Sequence, residues 1–499
     1  MLQLAAALEK IRNQPSKGYQ GKSFEDLMRI YLRKDPLYEG QYKEVLTYGD
    51  WVEKYGKAYG ETRKNDTGID LVAVTPEGKF HAVQCKNYAS DYCVGKGDID
   101  SFFTASGKSW FEQRIIVTTT NHWTNNAEAA LANQNPPVIK IDLQVLENSK
   151  IDWMQWFADE KNIYKENKTL KQHQKDAVEK VCAGLATADR GKLIMACGTG
   201  KTFTSLKIAE RLAGKGKYVL FLVPSLSLQD QSITEWAHNS ELELSSFAIG
   251  SDSTVGTNKG KNKDDDRIAK VDSVLGYPAT TDPERLKQQI KERRSSEVMT
   301  VIFSTYQSIK VIEAAQKGLD AIPDFDLIIC DEAHRTAGAE SKDQAQSFYL
   351  VHDNNKVHGK KRLYMTATPR VYESKDKKSK QDLNGVVIHA MNDQEKYGEE
   401  LYRLDFSEAV AQGLLVDYKV IVLTRKQEEI INRYLGRYPS AGNGGVTDGD
   451  VAKIIGCWKS LSKQGLEGVP DTIPMRRAVA FCQVIEETGR SKRHKISSK

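Results

Sequence analysis

The chain has 499 residues, 39% of them hydrophobic, and its 72 Lys and Arg are nearly balanced by 67 Asp and Glu. This length predicts two to four domains, and the composition excludes collagen-like and intrinsically disordered chains. The formal net charge of +5 does not by itself indicate nucleic-acid binding, because residues 490–499 alone contain five Lys or Arg and no acid.

The cysteine pattern and the hydropathy indicate the cellular setting. Seven cysteines are scattered along the chain without a C-x-x-C pair, which predicts a reducing, cytoplasmic location and no structural zinc site. No apolar run approaches about 18 residues, so we expect no membrane-spanning segment and no membrane partner.

The first domain is predicted to span residues 1–150, with helices over 1–33 followed by short strands and loops. Its predicted strands are DTGIDLVAV (66–74), AVQCKNY (82–88), QRIIVTTT (113–120) and PVIKIDL (137–143). TPEG at 75–78 has Pro second and Gly fourth, as β-turns favour, so the first two strands should form a hairpin.

In the second strand of this hairpin, polar residues alternate with apolar ones. Gln84 and Lys86 share one face, and Val83 and Cys85 share the other. The alternation is consistent with a half-exposed strand that has a polar outer face. The upstream strand and turn favour a site instead, because the hairpin would bring the carboxylate of Asp70 close to an oxygen ligand and an ammonium group.

The rest of the chain predicts a linker and a motor-like sheet. Residues 151–167 are polar and aromatic, which favours a linker, and 168–385 alternate strands with helices as doubly wound α/β sheets do. Within this domain, 250–297 are rich in Lys, Asp and Ser and are predicted to be a solvated insertion, or alternatively a DNA-contacting loop. Residues 400–499 predict the start of a second sheet, with YKVIVL at 418–423 and RAVAFC at 477–482.

A phosphate-binding loop is predicted at KLIMACGTGKTFTSLKIAERL, residues 192–212, which has the pattern strand, glycine loop, helix. Backbone N–H groups of such a loop wrap a phosphate at a helix N-terminus. Lys201 would reach the β- and γ-phosphates and Thr202 would hold Mg²⁺. The candidate ATP-binding loop residues are Gly198, Thr199, Gly200, Lys201 and Thr202. Met195 stands where the general pattern has its first glycine.

Two further motifs follow predicted buried strands. DLIICDEAHRT at 326–336 places two adjacent carboxylates at a strand end, Asp331 for Mg²⁺ and Glu332 for the attacking water. YMTATPR at 364–370 follows the next strand. Each motif alone is also typical of a polar loop, but all three in this order favour an ATP-driven motor.

GTGKT, DEAH and TAT in this order resemble superfamily 2 helicases and translocases. The resemblance implies that Gln174 reads adenine, that His334 belongs to the ATP site, and that Thr366 and Thr368 couple hydrolysis to movement. VPSLSLQDQ at 223–231 and STYQS at 304–308 resemble the elements that grip one DNA strand. The implied cofactors are ATP and Mg²⁺.

GID…QCKNY resembles the Mrr-type branch of the PD-(D/E)XK nucleases, in which Gln replaces the usual second acid. The resemblance implies a metal held by Asp70 and Gln84, a catalytic Lys86, and Glu25 in GKSFEDL as the helical glutamate of that branch. A neutral ligand at Gln84 leaves less negative charge than two acids would, and Glu25 would restore charge through a bound water. The alternative is a degenerate nuclease fold that only binds DNA.

Nuclease followed by motor resembles the N-terminal part of a Type ISP restriction-modification enzyme. The expected fold is α/β: a restriction-endonuclease-like domain, a RecA-like doubly wound parallel sheet, and the start of a second RecA-like lobe. The resemblance implies a double-stranded DNA substrate, with methyltransferase and target-recognition domains in the same full-length polypeptide. Because arginines of a complete second lobe would be missing, we expect residues 1–499 to be unable to translocate alone. The alternatives are a Type I restriction subunit, a DNA helicase or remodelling motor with a DNA-binding N-terminal domain, and an RNA helicase.

Overall fold

A computed structural model describes residues 2–64, 68–132, 134–158, 163–250, 277–339, 345–371, 388–418, 457–458, 460–463 and 474–475. The described residues up to Leu415 form one compact unit, to which the fold below refers. The predicted strands at 418–423 and 477–482 lie outside the described residues, apart from Tyr418. Among the helices described, none is long and apolar enough to cross a bilayer.

The N-terminal domain contains a mixed sheet in the order β1-β2-β3-β5-β7. Its strands are β1 (Glu44–Thr47), β2 (Leu71–Val74), β3 (Phe80–Lys86), β4 (Cys93–Val94), β5 (Phe111–Thr118), β6 (His122–Trp123) and β7 (Val138–Ile141), of which β4 and β6 form a separate pair. Its helices are α1 (Leu2–Arg12), α2 (Lys17–Lys34), α3 (Tyr48–Lys54), α4 (Asp100–Ala105), α5 (Asn125–Leu131), α6 (Leu143–Asn148) and α7 (Trp153–Ala158).

The predicted hairpin is present. Strands β2 and β3 pair antiparallel with Leu71 opposite Val83, and the Gly78 N–H donates to the Thr75 carbonyl at 2.9 Å. Gly78 has a φ of +78°, which favours glycine at this turn position. Val83 packs in the core beneath α2, whereas Ala82 packs in the core on the opposite face of the sheet. Gln84 and Lys86 therefore follow the face of Ala82.

The second domain is built on a parallel sheet in the order β11-β10-β12-β9-β13-β15-β8-β17. Its strands are β8 (Arg190–Met195), β9 (Tyr218–Val223), β10 (Leu244–Ile249), β11 (Ala279–Thr280), β12 (Met299–Thr305), β13 (Leu327–Cys330), β14 (Gly338–Ala339), β15 (Arg362–Thr366), β16 (Ile388–His389) and β17 (Glu399–Leu404), of which β14 and β16 form a separate pair. Its helices are α8 (Gln172–Thr187), α9 (Lys201–Leu212), α10 (Leu226–Asn239), α11 (Pro283–Glu292), α12 (Ile309–Ala315), α13 (Ala345–Tyr349), α14 (Gln394–Tyr397) and α15 (Phe406–Ala411).

The structure extends this second sheet beyond its predicted end at 385. Strand β17 runs parallel to β8, with Glu399 opposite Gly191, although a second lobe was predicted to start at 400. The Ala196 N–H also donates to the Leu404 carbonyl at 2.9 Å, which ties the phosphate-loop side of β8 to this strand. The strand at 399–404 therefore completes the first lobe rather than opening the second.

Two segments, one predicted to be a linker and the other a solvated insertion, contain residues that pack in the core. Within the predicted linker 151–167, Ile151 and Trp153 are buried in the nuclease-side core. At the end of the predicted insertion 250–297, Leu286 and Ile290 of α11 are buried in the core of the second domain. The insertion prediction is wrong for residues 277–297, and residues 251–276 lie outside the described part.

Candidate functional sites

The hairpin brings Asp70 and Gln84 together. Continuing the antiparallel register by one pair from Leu71 and Val83 places Asp70 directly opposite Gln84, so both side chains share one face. Two hydrogen bonds hold the acid at this point: its N–H donates to the Val83 carbonyl at 2.9 Å, and its Oδ2 accepts from the Cys85 N–H at 2.6 Å.

The side-chain oxygen of Gln84 is buried and lacks a hydrogen-bond partner among the described residues. Only 1% of Gln84 is exposed, and its Nε2 donates to the Gly68 carbonyl at 3.1 Å. Because the amide nitrogen is held in this way, the oxygen is left as the free group. An unpaired buried acceptor costs about 1–3 kcal/mol, and a bound cation would remove that cost.

Glu25 and Lys86 lie close enough to Cys85 to affect its titration. Desolvation, then the negative charges of Asp70 and Glu25, raise the pKa of the Cys85 thiol well above its usual range, and Lys86 opposes them. Lys86 is the last residue of β3, and Glu25 lies on α2, which packs against β3. The structure thus places Asp70, Gln84 and Lys86 at the end of the hairpin, whereas Glu25 lies on α2, which packs against the opposite face of the sheet from Gln84 and Lys86.

These donors fit a hard divalent cation. Carboxylate and amide oxygens are the ligands that Mg²⁺ prefers, usually in few protein contacts with waters completing the shell. Within the described part of the chain, no group of three or more His, Cys, Asp or Glu side chains is placed to hold a metal. A site of Asp70 and Gln84 therefore depends on substrate and water oxygens for its remaining ligands.

The predicted phosphate loop lies between β8 and α9. Gly198 and Gly200 have φ values of +83° and +88°. A Cβ at Gly200 would lie 2.4 Å from Nε2 of Gln174, so a side chain there would displace that glutamine. Lys201 begins α9 and its Nζ donates to the Met195 carbonyl at 3.3 Å. The Thr199 hydroxyl donates to the Ala196 carbonyl at 2.7 Å, which closes the loop on itself.

Gln174 contacts the loop from α8. Its Nε2 donates to the Thr199 carbonyl at 3.2 Å, and its Oε1 accepts from the Lys171 N–H at 2.9 Å. His173 was not predicted, yet its Nε2 lies 3.0 Å from the same Thr199 carbonyl and the residue is 95% buried. No motif marked this histidine, because its contact forms only when α8 packs beside the loop.

Asp331 and Glu332 follow β13 at the same carboxyl edge of the sheet as the phosphate loop. Burial, then the charge of Glu332, raise the pKa of Asp331 to about 6, while Lys201 opposes the shift. Glu332 adopts a left-handed φ of +47°, a strained conformation for a non-glycine residue. The hydrogen bond with His334 is the first cause that holds the pKa of Glu332 below its usual value.

His334 connects the acidic motif to the motif after β15. Its Nδ1 lies 3.3 Å from Glu332 Oε2 and 2.9 Å from the hydroxyl of Thr366. The Thr366 Oγ1 in turn accepts from the Thr368 N–H at 3.2 Å. Residues separated by 36 positions in sequence thus form one hydrogen-bonded chain across two neighbouring strands.

Known protein families match both domains. A restriction endonuclease family of the Mrr catalytic type matches residues 33–163, and a family described as the res subunit of Type III restriction enzymes matches residues 167–371. A probable helicase of African swine fever virus is 29% identical over 263 residues, which cover 51% of this chain and 26% of the viral protein.

Restriction enzymes are also similar. The endonuclease subunit of the Type I enzyme EcoAI from Escherichia coli is 24% identical over 344 residues, which cover 65% of this chain and 34% of that subunit. The solved structure of LlaBIII, an ATP-dependent Type ISP restriction-modification enzyme bound to DNA, has a TM-score of 0.74 and 36% identity. It covers 96% of this chain, which spans 30% of the LlaBIII chain. The present chain therefore carries a restriction-endonuclease domain followed by a superfamily 2 helicase domain, and it is homologous to Type ISP restriction-modification enzymes.

Proposed function

We propose that the chain supplies the nuclease and the first motor lobe of an ATP-driven translocase that cleaves unmethylated foreign double-stranded DNA in the cytoplasm. The observation that carries the proposal is the pairing of two sites in one compact unit. One is a buried Gln84 oxygen beside Asp70 that has no partner among the described residues, and the other is a phosphate loop facing Asp331 and Glu332. The similarity to LlaBIII supports the same assignment.

At the nuclease site, Asp70 and Gln84 would hold Mg²⁺, which supplies Lewis-acid polarisation of the phosphate and a nucleophilic hydroxide. Glu25 would add negative charge on the α2 side through a bound water. Lys86 would orient the nucleophile and offset the charge that develops on the phosphate in the transition state. The buried face of β3 keeps these groups fixed while the DNA enters from the strand end.

At the motor site, Lys201 would neutralise the β- and γ-phosphates, and Thr202 and Asp331 would hold the Mg²⁺ that accompanies ATP. Glu332 would orient the attacking water, and Gln174 would contact adenine. The bonds from His334 to Glu332 and Thr366 give a route from hydrolysis to Thr368 and the DNA-facing loops.

The similarity also suggests what the rest of the polypeptide does. Because the chain spans only 30% of LlaBIII, methylation and target recognition would come from further domains of the full-length enzyme. A Type I restriction subunit is the second candidate, favoured by the match to the EcoAI endonuclease subunit. A motor with a DNA-binding but inactive N-terminal domain is the third.

Incubation of the full-length enzyme with unmethylated plasmid, Mg²⁺ and ATP tests the proposal. We expect cleavage that requires both ATP and Mg²⁺ and that fails on methylated plasmid. ATP hydrolysis without any cleavage would favour the inactive-nuclease alternative, and cleavage that requires a separate specificity subunit would favour a Type I enzyme.

A further inference from the structure

A buried carboxylate ends the helix that carries Glu25. Asp35 is the C-cap residue of α2, and its side chain is 0% exposed. Three donors to it come from the nuclease side: the Leu37 N–H at 3.0 Å, the Ser149 hydroxyl at 2.6 Å and the Lys150 N–H at 3.1 Å. The fourth partner comes from the motor side, where Nε2 of His238 lies 2.9 Å from Asp35 Oδ1.

The charge state of Asp35 agrees with this geometry. Burial alone would raise the pKa of Asp35, but the hydrogen bond and the positive charge of His238 lower it below its usual value. An ionised, fully buried carboxylate with four partners holds a fixed position, because moving it would leave the charge unpaired.

His238 lies on α10, and the same helix contacts the phosphate loop. The indole N–H of Trp236, two residues earlier, donates to the Thr202 carbonyl at 3.1 Å. Side chains two residues apart on an α-helix point in directions about 200° apart. Trp236 therefore faces the sheet, while His238 faces the nuclease. Trp236 is fully buried against Phe221 and Phe303, with ring centroids at 5.2 and 5.6 Å.

We propose that His238 and Asp35 are positioning residues that couple the nucleotide site to the nuclease helix α2, and thereby to Glu25. The coupling runs from Thr202 through Trp236 and α10 to His238, and from Asp35 into the last turn of α2. A shift of the first turn of α9 on nucleotide binding would displace α10 as a unit, since packed helices move rather than deform. The importance of Glu25 rests on the proposed nuclease function, but the coupling itself does not.

A second anchor between the domains provides a matched control. Arg293 follows α11 and pairs with Glu77 at 2.7 Å, and its Nη1 donates to Gln41 Oε1 at 2.7 Å. Both side chains of the ion pair are more than 90% buried. This anchor also joins motor to nuclease, but within the described part of the chain it makes no hydrogen bond to the phosphate loop. Weakening it should loosen the docking of the domains without breaking the path from Thr202.

Hydrogen exchange of α2 in the full chain, with and without saturating Mg²⁺ and a non-hydrolysable ATP analogue, tests the proposal. The reporter is the Asp35 amide, which donates to the Tyr31 carbonyl at 2.9 Å, together with the last turn of α2. We expect the analogue to change exchange there by roughly threefold or more in the unmodified protein. His238→Ala should abolish this change, and His238→Gln, which keeps a donor at a similar reach, should restore it.

Arg293→Gln should retain the nucleotide response of α2, and Lys201→Ala, which removes the phosphate contact, should lose it. If His238→Ala proves insoluble, Asp35→Asn gives the same measurement at the other end of the bond. An unchanged response in His238→Ala, or a loss in both His238→Ala and Arg293→Gln, would overturn the coupling and leave only domain docking. Exchange needs no DNA and no cleavage, so failure of the nuclease assignment would leave this result standing.

Discussion

The two candidate sites differ in how far the protein completes them. In the motor site, each charged side chain has a protein partner: Lys201 contacts Met195, and Glu332 contacts His334. In the nuclease site, Asp70 is held by a backbone N–H, but the Gln84 oxygen beside it has no partner among the described residues. The charged groups of the motor site are held by protein contacts, whereas the proposed nuclease site contains a buried oxygen without a partner among the described residues.

The difference follows from the charges that each ligand brings. A nucleotide carries its own phosphates and accompanying Mg²⁺. The motor therefore needs a fixed phosphate loop and a nearby carboxylate, here Asp331, whose pKa is raised by burial and by Glu332. A phosphodiester brings only one negative charge, so the proposed nuclease site would have to bind its cation with few protein donors. With a neutral amide at Gln84, such a cation site would be weak until DNA supplied further oxygens.

The largest effect is expected at the motor site. Lys201→Ala should lower DNA-stimulated ATP hydrolysis by on the order of 10³ or more, because no other loop side chain would neutralise the transferring phosphate. Phosphate release by the full-length enzyme measures this. Lys215→Ala, on the exposed surface beyond α9, is the matched control and should hydrolyse ATP normally. Unchanged turnover in Lys201→Ala would mean that nucleotide binds elsewhere.

Lys86→Ala should separate the two sites. We expect DNA cleavage to fall by about 10²–10³, the usual cost of removing one charge-stabilising group, with ATP hydrolysis unchanged. Gel assays of plasmid nicking and a parallel phosphate-release assay report the two activities. Lys96→Ala, a lysine in the same domain outside the β3 site, should keep both. A Lys86→Ala enzyme that cuts at the normal rate would remove this residue from the mechanism.

A comparison within β3 tests whether a buried side-chain atom without a described partner marks a functional site or is merely tolerated. Like Gln84, His81 has a buried side-chain atom, Nε2, with no hydrogen-bond partner in the described structure. Its Nδ1 lies 3.0 Å from the Tyr42 hydroxyl. His81 is three residues from Gln84, near the contact with the motor, so substituting it should not affect cation dependence.

His81 should instead appear in the pH dependence of stability. Burial, then the positive charges of Arg285 and Arg293, lower the pKa of His81 from 6.5 to about 3. The unfolded chain binds a proton on His81 more tightly than the folded chain does, so protonation favours unfolding. The contribution of neutral His81 to the free energy of unfolding is therefore complete above pH 6.5 and is lost as the pH falls toward 3. Relative to His81→Gln, the protein should lose about 2 kcal/mol between pH 7.5 and pH 5. Thermal unfolding midpoints at the two pH values measure this, and parallel pH profiles would contradict it.

The motor was the more predictable half, because its motifs are local. Strand, glycine loop and helix occur together at 190–212, where the pattern at 192–212 predicted them. In the nuclease half, the hairpin with Asp70 and Gln84 was also predictable, since a turn and an alternation define its register.

Contacts between distant segments were not predictable. Asp35 and His238 are 203 residues apart, and neither belongs to a motif. Helix α11 was hidden in a segment rich in Lys, Asp and Ser, because its composition gave a stronger signal than the spacing of Leu286 and Ile290. Strand β17 was assigned to the next lobe, since only its pairing with β8 shows which sheet it joins.

The smallest predicted change tests whether the buried Gln84 oxygen is a cation ligand. Gln84→Glu would replace the neutral oxygen by a charged one at the same place, close to Asp70. If Mg²⁺ binds at this oxygen, the added charge should lower the Mg²⁺ concentration for half-maximal cleavage by roughly tenfold. This factor corresponds to about 1.4 kcal/mol of binding free energy. Without a cation, two adjacent carboxylates would repel each other, so the same variant should be less stable in EDTA and regain stability when Mg²⁺ is added. A titration of cleavage against Mg²⁺ and a pair of melting curves measure both effects, with His81→Gln as the control in the same strand. If Gln84→Glu leaves the Mg²⁺ requirement unchanged and melts alike with and without the cation, the buried oxygen is a tolerated defect, and the contrast between the two sites has another cause.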